Sequence, residues 1–249
     1  MLPGFVDPHS HVVPGVDDGA QTMEEALEMV AAARAGGTRL LFATPHVCPG
    51  FWLTRRRQAL IEERFAALQE RAPGGIELRL GYEVTPALAR LRSSEDLERL
   101  TLGGTNVLLV DGPQRSRWHG DPHLLRLVRR AVALGLVPLV AHPERRVGWD
   151  GAPDLELAQR LRDAGALLQI DVTGLSGQDV GPAGAAEARR LIAAGLCDVI
   201  GSDAHGARWN RWPRIDATPA ELAGAYGREV ADRLCCGSAL GLERDVAAA

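Results

Sequence analysis

Phe5-Val6-Asp7-Pro8-His9-Ser10-His11 stands near the start of the chain, and Gly15-Val16-Asp17-Asp18-Gly19 follows within a few residues. Alternate side chains of a strand point to the same face. His9 and His11 therefore project together from the end of a first strand, with carboxylates just downstream. Two imidazoles on one side beside carboxylates make half of a divalent-metal site. Taken alone, the pair reads equally as two surface histidines at an ordinary strand end. The rest of the chain has to decide.

Moving outward, apolar runs rich in Val, Leu and Ile alternate with helical patterns. The strands are expected at residues 5–11, 39–44, 76–81, 105–110, 137–141, 166–172 and 198–201. Helices are expected at 22–35, 55–71, 86–99, 121–134, 153–164 and 184–194, with further helices from 219 onward. Thr22 with Glu25 three residues later reads as a capping box, and Gly36-Gly37 ends that helix. Near-continuous apolar strands fit burial on both faces of a parallel sheet. Seven strand–helix units without a Ser/Gly linker predict one α/β domain over residues 1–249. Polar residues fall at the C-terminal end of strand after strand, where barrel active sites are built. A doubly wound sheet would gather them at one switch point instead. A distorted TIM-like (β/α)7 barrel is the expectation.

Composition narrows the function. No run approaches the roughly 18 unbroken apolar residues of a membrane span. Met1-Leu2-Pro3-Gly4 lacks the basic and apolar regions of a signal peptide, so a soluble cytoplasmic protein is expected. A net charge of −4 argues against a general nucleic-acid binder. The sequence contains no Lys, so its 28 basic residues are all Arg. Arg is then the side chain available for clamping phosphate, a task its planar fork suits. Cys48, Cys197, Cys235 and Cys236 show no Cys-x-x-Cys spacing, and a disulfide framework is not expected. None is followed by Arg at the Cys-x5-Arg spacing of cysteine-dependent phosphatases.

The strand ends collect His9, His11, His46, Glu83, Asp111, His142, Asp203 and His205, and Asp18 lies in the loop after the first strand. Each has an ordinary alternative alone, as a loop histidine, a surface carboxylate or a helix cap. Together they make that alternative weak. Mixed imidazole and carboxylate donors suit Mn, Fe or Zn, and nine are too many for one ion. The absence of Cys among them argues against a structural zinc site. His119 and His123 read as surface or substrate-facing residues. Phe51, Trp52, Trp118, Trp209 and Trp212 fall in loops after strands, where exposed rings could frame a phenyl group or form a rim.

The runs Asp7-Pro8-His9-Ser10-His11, Gly15-Val16-Asp17-Asp18-Gly19, Thr44-Pro45-His46, Gly81-Tyr82-Glu83, Ala141-His142-Pro143-Glu144-Arg145 and Gly201-Ser202-Asp203-Ala204-His205 resemble the polymerase and histidinol phosphatase (PHP) superfamily. Within it the likeness is to bacterial manganese-dependent protein-tyrosine phosphatases of capsule and exopolysaccharide operons. It runs in order from Asp7 to about Pro213. The resemblance implies a seven-unit barrel with two or three metals, Mn2+ first and Fe or Zn as alternatives. His9, His11 and Asp203 would hold one ion, and Glu83 would bridge it to a second completed by Asp111 and His142. Asp18, His46 and His205 would hold the third. Asp111 departs from the pattern, because the phosphatases resembled commonly carry Glu there.

Arg145 matches the family's phosphate-contacting arginine, and Arg211 matches a second, with Arg208 competing for that place. The implied chemistry is hydrolysis of a phosphate monoester by a metal-activated hydroxide, with His205 or an unbound histidine free to protonate a poor leaving group. The implied substrate is phosphotyrosine on the tail of a bacterial tyrosine kinase that controls polysaccharide export. Rival readings are a small-molecule phosphatase such as histidinol phosphatase, a PHP nuclease, and a metal-binding module without turnover.

Overall fold

The structure is a computed structural model and describes residues 4–89, 97–112, 122–145, 155–213, 215 and 218–242. Among the described residues nine parallel strand segments follow one another: β1 (Phe5–Ser10), β2 (Thr38–Ala43), β3 (His46–Val47), β4 (Glu77–Leu80), β5 (Glu83–Val84), β6 (Val107–Val110), β7 (Val137–Ala141), β8 (Leu167–Asp171) and β9 (Val199–Gly201). They form a three-stranded sheet, β1-β2-β4, and a six-stranded one, β3-β5-β6-β7-β8-β9. β2 and β3 are one strand broken at Thr44-Pro45, and β4 and β5 are one strand broken at Gly81-Tyr82. Ala43 pairs with Leu80 before the break and His46 with Glu83 after it. Counted this way the described residues hold seven strands, the number expected from the sequence. At the seam, Asp203 N donates to His9 O (2.9 Å) and His11 N to Ala204 O (2.8 Å), joining the end of β9 to the end of β1. The fold is a distorted TIM-like barrel of seven βα units.

Strand alternation divides the apolar residues into two cores. Val6, Leu40, Phe42, Val107, Leu109, Leu139, Ala141 and Val199 form one cluster, with Leu102 and Leu240 packed on it. Their neighbours Leu41, Ala43, Leu108, Val110, Val140, Leu168, Ile170 and Ile200 belong to the larger cluster, which also holds apolar helix residues such as Met29, Ile61, Leu127 and Leu191. Each strand is therefore buried on both faces, which favours Val, Leu and Ile over alternation with polar residues.

The helices are α1 (Met23–Ala35), α2 (Arg55–Arg71), α3 (Pro86–Ala89), α4 (Pro122–Ala133), α5 (Leu155–Asp163), α6 (Val172–Ser176), α7 (Gly181–Ala193), α8 (Thr218–Tyr226) and α9 (Arg228–Cys235). Thr22 caps α1 by accepting from Glu25 N, and Thr54 caps α2 by accepting from Arg57 N. The return half of the α1 box goes to Gln21 N rather than to Thr22 N. Two boundaries need correction. The sixth strand stops at Asp171 because Val172–Ser176 turns into a short helix, and α7 begins at Gly181 rather than 184. The expected helix at 86–99, the first residues of those at 121–134 and 153–164, and the residues Trp118 and His119 lie wholly or partly outside the described residues. Among the described residues no helix is long and apolar enough to cross a membrane.

Candidate metal centre

The two broken strands place donors that an unbroken ladder would not. Pro45 has no N–H, so the chain turns out of β2 and re-enters as β3 with His46 beside Glu83. At β7 and β9 the device is different. His142 (φ 40) and Asp203 (φ 45) sit in the left-handed region immediately after their strands. Such a conformation costs a non-glycine residue about 1–2 kcal/mol. The strain turns an imidazole and a carboxylate into the mouth of the barrel. Gly19 has a steric role: a Cβ there would stand 2.1 Å from His11 O. This close approach brings the Asp17-Asp18-Gly19 turn against the first histidine pair, and Ala20 N donates to the same carbonyl at 3.0 Å.

All nine residues singled out in the sequence meet at this mouth. His11, Asp18, His46 and His205 bring one donor atom each into a single group; so do His9, His11 and Glu83, and so do Glu83, Asp111 and His142. Asp203 Oδ1 lies 3.2 Å from Nε2 of both His9 and His11. Glu83 stands at the centre, with Oε1 3.2 Å from His142 Nε2 and 3.5 Å from His9 Nε2, and Oε2 2.6 Å from His46 Nδ1. Asp18 Oδ1 is 3.2 Å from His46 Nε2 and 3.5 Å from His205 Nε2. Asp111 is the outlier of the set, with Oδ1 3.8 Å from His142 Nε2.

Whether these residues suit a cation can be judged from their unmet polar atoms. Buried Asp111 Oδ1 and His142 Nδ1 make no hydrogen bond, and Glu83 Oε2, His46 Nδ1 and Asp18 Oδ1 make none of acceptable angle despite their close approaches. Native interiors leave few such atoms without a reason, and an ion is one. The Nε2 atoms of His9 and His11 approach to 3.3 Å, an arrangement a shared cation satisfies better than a proton. Two imidazoles are also oriented from behind. His11 Nδ1 donates to Asp17 Oδ2 at 2.9 Å and His205 Nδ1 to Asp203 O at 2.8 Å, leaving each Nε2 lone pair facing the cluster. The set fits divalent metal.

Charge within the cluster follows from these contacts. Burial pulls the His9 imidazole down, but the Asp203 and Glu83 carboxylates outweigh it and raise its pKa to about 9. Burial likewise opposes ionisation of Asp17, but the His11 and His46 imidazoles hold it at about 2. Glu83 and Asp203 are held well below the carboxylate range despite burial, Glu83 by His9 and His46, Asp203 by Arg145 and His9. Asp111 moves the other way, to about 6, because burial and the Glu83 charge both oppose its ionisation. Of the four carboxylates among the nine residues, Asp111 is therefore the one held least firmly in its charged form.

The arginines complete the geometry. Asp203 Oδ2 is shared by Arg145 Nη2 and by Arg211 Nη1, the latter at 2.5 Å. Arg145 also meets buried Asp171 at 2.7 Å. Asp179, in the turn between α6 and α7, reaches both guanidiniums, at 3.8 Å from Arg145 and 3.7 Å from Arg211. Arg208 does not join this set; its guanidinium lies 5.5 Å over the Trp209 ring. Trp52 and Trp209 are exposed, at 54% and 46%. Phe51 and Trp212 are corrections: both are half-buried rather than exposed, and Trp212 packs on the main core. Gln169 (Nε2 3.2 Å from His9 Nδ1), Asp171 and Asp179 lie outside every run singled out in the sequence, and Asp17 and Glu144 lie inside such runs without a role of their own. Buried Glu144 accepts from Asp171 N and stands above its ordinary range, through burial and then the Asp171 charge. The run that contains Arg145 was the available signal for Glu144.

A barrel carrying clustered imidazoles and carboxylates at its C-terminal mouth, flanked by paired arginines, defines a PHP-type metal-dependent phosphoesterase. A family model described as capsular polysaccharide synthesis, CpsB/CapC, matches residues 5–242, and the chain belongs to that family. It is 30% identical over 211 residues to the tyrosine-protein phosphatase YwqE of Bacillus subtilis, covering 82% of this chain and 78% of that one. It is 26% identical over 244 residues to the tyrosine-protein phosphatase CpsB of Streptococcus agalactiae, covering 92% and 94%. Among solved structures, one described with YwqE from B. subtilis and CpsB from Streptococcus pneumoniae as "unique metal-dependent tyrosine phosphatases" superposes with a TM-score of 0.71. Its identity is 25%, over 91% of this chain and 89% of that one.

Proposed function

We propose that this protein is a cytoplasmic, metal-dependent protein-tyrosine phosphatase whose substrate is the phosphorylated tail of a bacterial tyrosine kinase regulating exopolysaccharide synthesis. One observation carries the reading: the single carboxylate of Asp203 joins a buried cluster of metal-type donors to two guanidinium groups. Cations and a phosphate dianion thereby have adjoining places. The likeness to YwqE and CpsB over most of each chain supports the substrate class.

His9, His11, Glu83 and Asp203 would hold one divalent ion, Glu83, Asp111 and His142 a second, and Asp18, His46 and His205 a third. Mn2+ is the proposed ion, and the donor set also accepts Fe or Zn. Ions bound there lower the pKa of water and neutralise phosphoryl charge. Arg145 and Arg211 supply the rest: each fork gives parallel hydrogen bonds to phosphate oxygens, and Asp171 and Asp203 hold the forks before substrate arrives. In hydrolysis a water oxygen bonds to phosphorus as the bond to the phenolic oxygen breaks, and the proton from water ends on phosphate or solvent. A phenolate leaves readily, so the step needs little general acid. His205 donates from Nδ1 to a backbone carbonyl, which favours a ligand role for its Nε2 over proton delivery. Burial raises the Cys48, Cys197 and Cys235 thiols above their ordinary range, Cys235 to about 12, which leaves these three poor nucleophiles.

The test is phosphate release by the Mn2+-loaded protein from a phosphotyrosyl peptide, a phosphoseryl peptide and histidinol phosphate. The proposal expects preference for the tyrosyl peptide, abolished by chelation. Preference for histidinol phosphate would move the protein to small-molecule chemistry, and metal binding without release would leave a silent module.

A further inference from the structure

The geometry points to Phe51 and Trp209 as two walls that receive the aromatic ring of the ester's leaving group, an assignment that rests on the phosphotyrosine reading above. Both rings are attached to the same donor group from different loops. On one side the Phe51 ring stacks on His46, with centroids 6.0 Å apart and planes 18° from parallel. On the other, the Trp209 indole N–H donates to Asp18 O at 2.9 Å. His46 Nε2 and Asp18 Oδ1 are 3.2 Å apart, so Phe51, His46, Asp18 and Trp209 form one continuous chain of contacts around the mouth.

Each ring is fixed before any ligand arrives. The Arg57 guanidinium lies 5.5 Å from the Phe51 ring centroid and donates to Phe51 O at 3.0 Å, His46 O at 2.9 Å and Val16 O at 2.9 Å. This ties the Phe51 loop to α2 and to the loop bearing Asp17 and Asp18. Trp209 is held through its indole nitrogen, and its loop is docked where Gln178 Nε2 donates to Asn210 O at 2.6 Å. Yet Trp209 remains 46% exposed. Burial of its ring therefore contributes little to folding, while holding it in place costs conformational freedom. A pre-fixed aromatic surface loses little entropy on binding and offers a flat apolar face to another ring. Beside a site for metal and phosphate, the group to be stacked is the aryl part of an aryl phosphate. An alkyl phosphate gains nothing from either wall.

The experiment measures two ratios on the Mn2+-loaded full chain. One is kcat/KM for phosphotyrosyl over phosphoseryl peptide; the other is Kd for methylphosphonate over phenylphosphonate, read by calorimetry without turnover. Phe51→Leu and Trp209→Leu should each lower both ratios roughly three- to tenfold, with metal content unchanged. Trp209→Phe, which keeps a ring but loses the N–H, should retain most of the preference and so separates stacking from support of Asp18. If the wild-type protein shows no aryl preference, the phosphotyrosine reading and this assignment both fall. If the wild type prefers aryl ligands and both leucine variants keep that preference, the assignment alone is overturned.

Discussion

Arg211 Nη1 lies 2.5 Å from Oδ2 of Asp203, while Oδ1 of the same carboxylate is 3.2 Å from the Nε2 atoms of His9 and His11. One side chain thus faces the donor cluster with one oxygen and both arginines, Arg145 and Arg211, with the other. Asp203→Asn keeps the shape and removes the charge. It should lower both bound metal and kcat/KM, the latter by roughly a hundredfold or more, since a preorganised charge contact of this kind commonly supplies that much. Metal analysis alongside kinetics checks it, and full metal content with full activity would show that Asp203 is peripheral.

Arg145→Lys and Arg211→Lys retain charge and lose the fork. KM for a phosphotyrosyl peptide should rise about tenfold or more for each, in line with about 1.5–3 kcal/mol for a hydrogen bond to a charged group. Metal content should not change. Loss of metal instead would place these arginines in the scaffold of the cluster and not on the substrate.

Asp179 stands apart from the other acids near the arginines, because it touches both at long range and is partly exposed, at 24%. A phosphate dianion on the two guanidiniums would feel its negative charge. Asp179→Asn should therefore tighten inhibition by inorganic phosphate by about fivefold, an effect of the size that screened charges a few ångströms apart produce. Weaker inhibition would mean that Asp179 positions the arginines rather than competing with phosphate.

The imidazoles set a pH dependence for metal loading. His9 holds its proton up to about 9 because Asp203 and Glu83 outweigh its burial. Metal needs the neutral ring, so uptake by the apo protein at neutral pH should release protons, and apparent affinity should climb with pH until His9 deprotonates near 9. The sign is consistent with folding linkage: a raised imidazole pKa stabilises the apo fold below its unfolded value, and that contribution is lost as pH passes the folded one. Proton release followed with an indicator dye in weak buffer checks the first point. A pH-independent affinity would remove His9 from the site.

Much of this site was legible because a strand ends where apolar residues give way to polar ones, and the seven strands end at the same mouth. His9, His11, Glu83, His142 and Asp203 could be collected on that rule alone. The breaks in the second and third strands were not legible, because they depend on how neighbouring strands pair across Pro45 and Gly81. β-Branched Val172 reads as the last residue of a strand, and only the turn after Asp171 makes it the first residue of the helix Val172–Ser176. Gln169 and Asp171 lay hidden in an apolar run. Their roles arise from contacts with His9 and Arg145, which are remote in sequence.

Gly19 offers a structural check on the first loop. A Cβ at this position would stand 2.1 Å from His11 O and 2.4 Å from His11 Cβ, both held in place by β1 and its neighbours. Gly19→Ala should lower stability by about 2 kcal/mol or more, the range for overpacking a close contact, and should weaken metal binding with it. Thermal unfolding with and without metal measures both effects.

The proposed phosphatase chemistry requires that these nine side chains hold metal beside the arginines. Anomalous diffraction from crystals of the Mn2+-loaded protein, recorded at the manganese edge, tests it most directly. Peaks are expected about 2.1 Å from the donor atoms of the three groups, at His9, His11, Glu83 and Asp203, at Glu83, Asp111 and His142, and at Asp18, His46 and His205. Peaks elsewhere, or none at this mouth in a protein that hydrolyses phosphotyrosine, would contradict it.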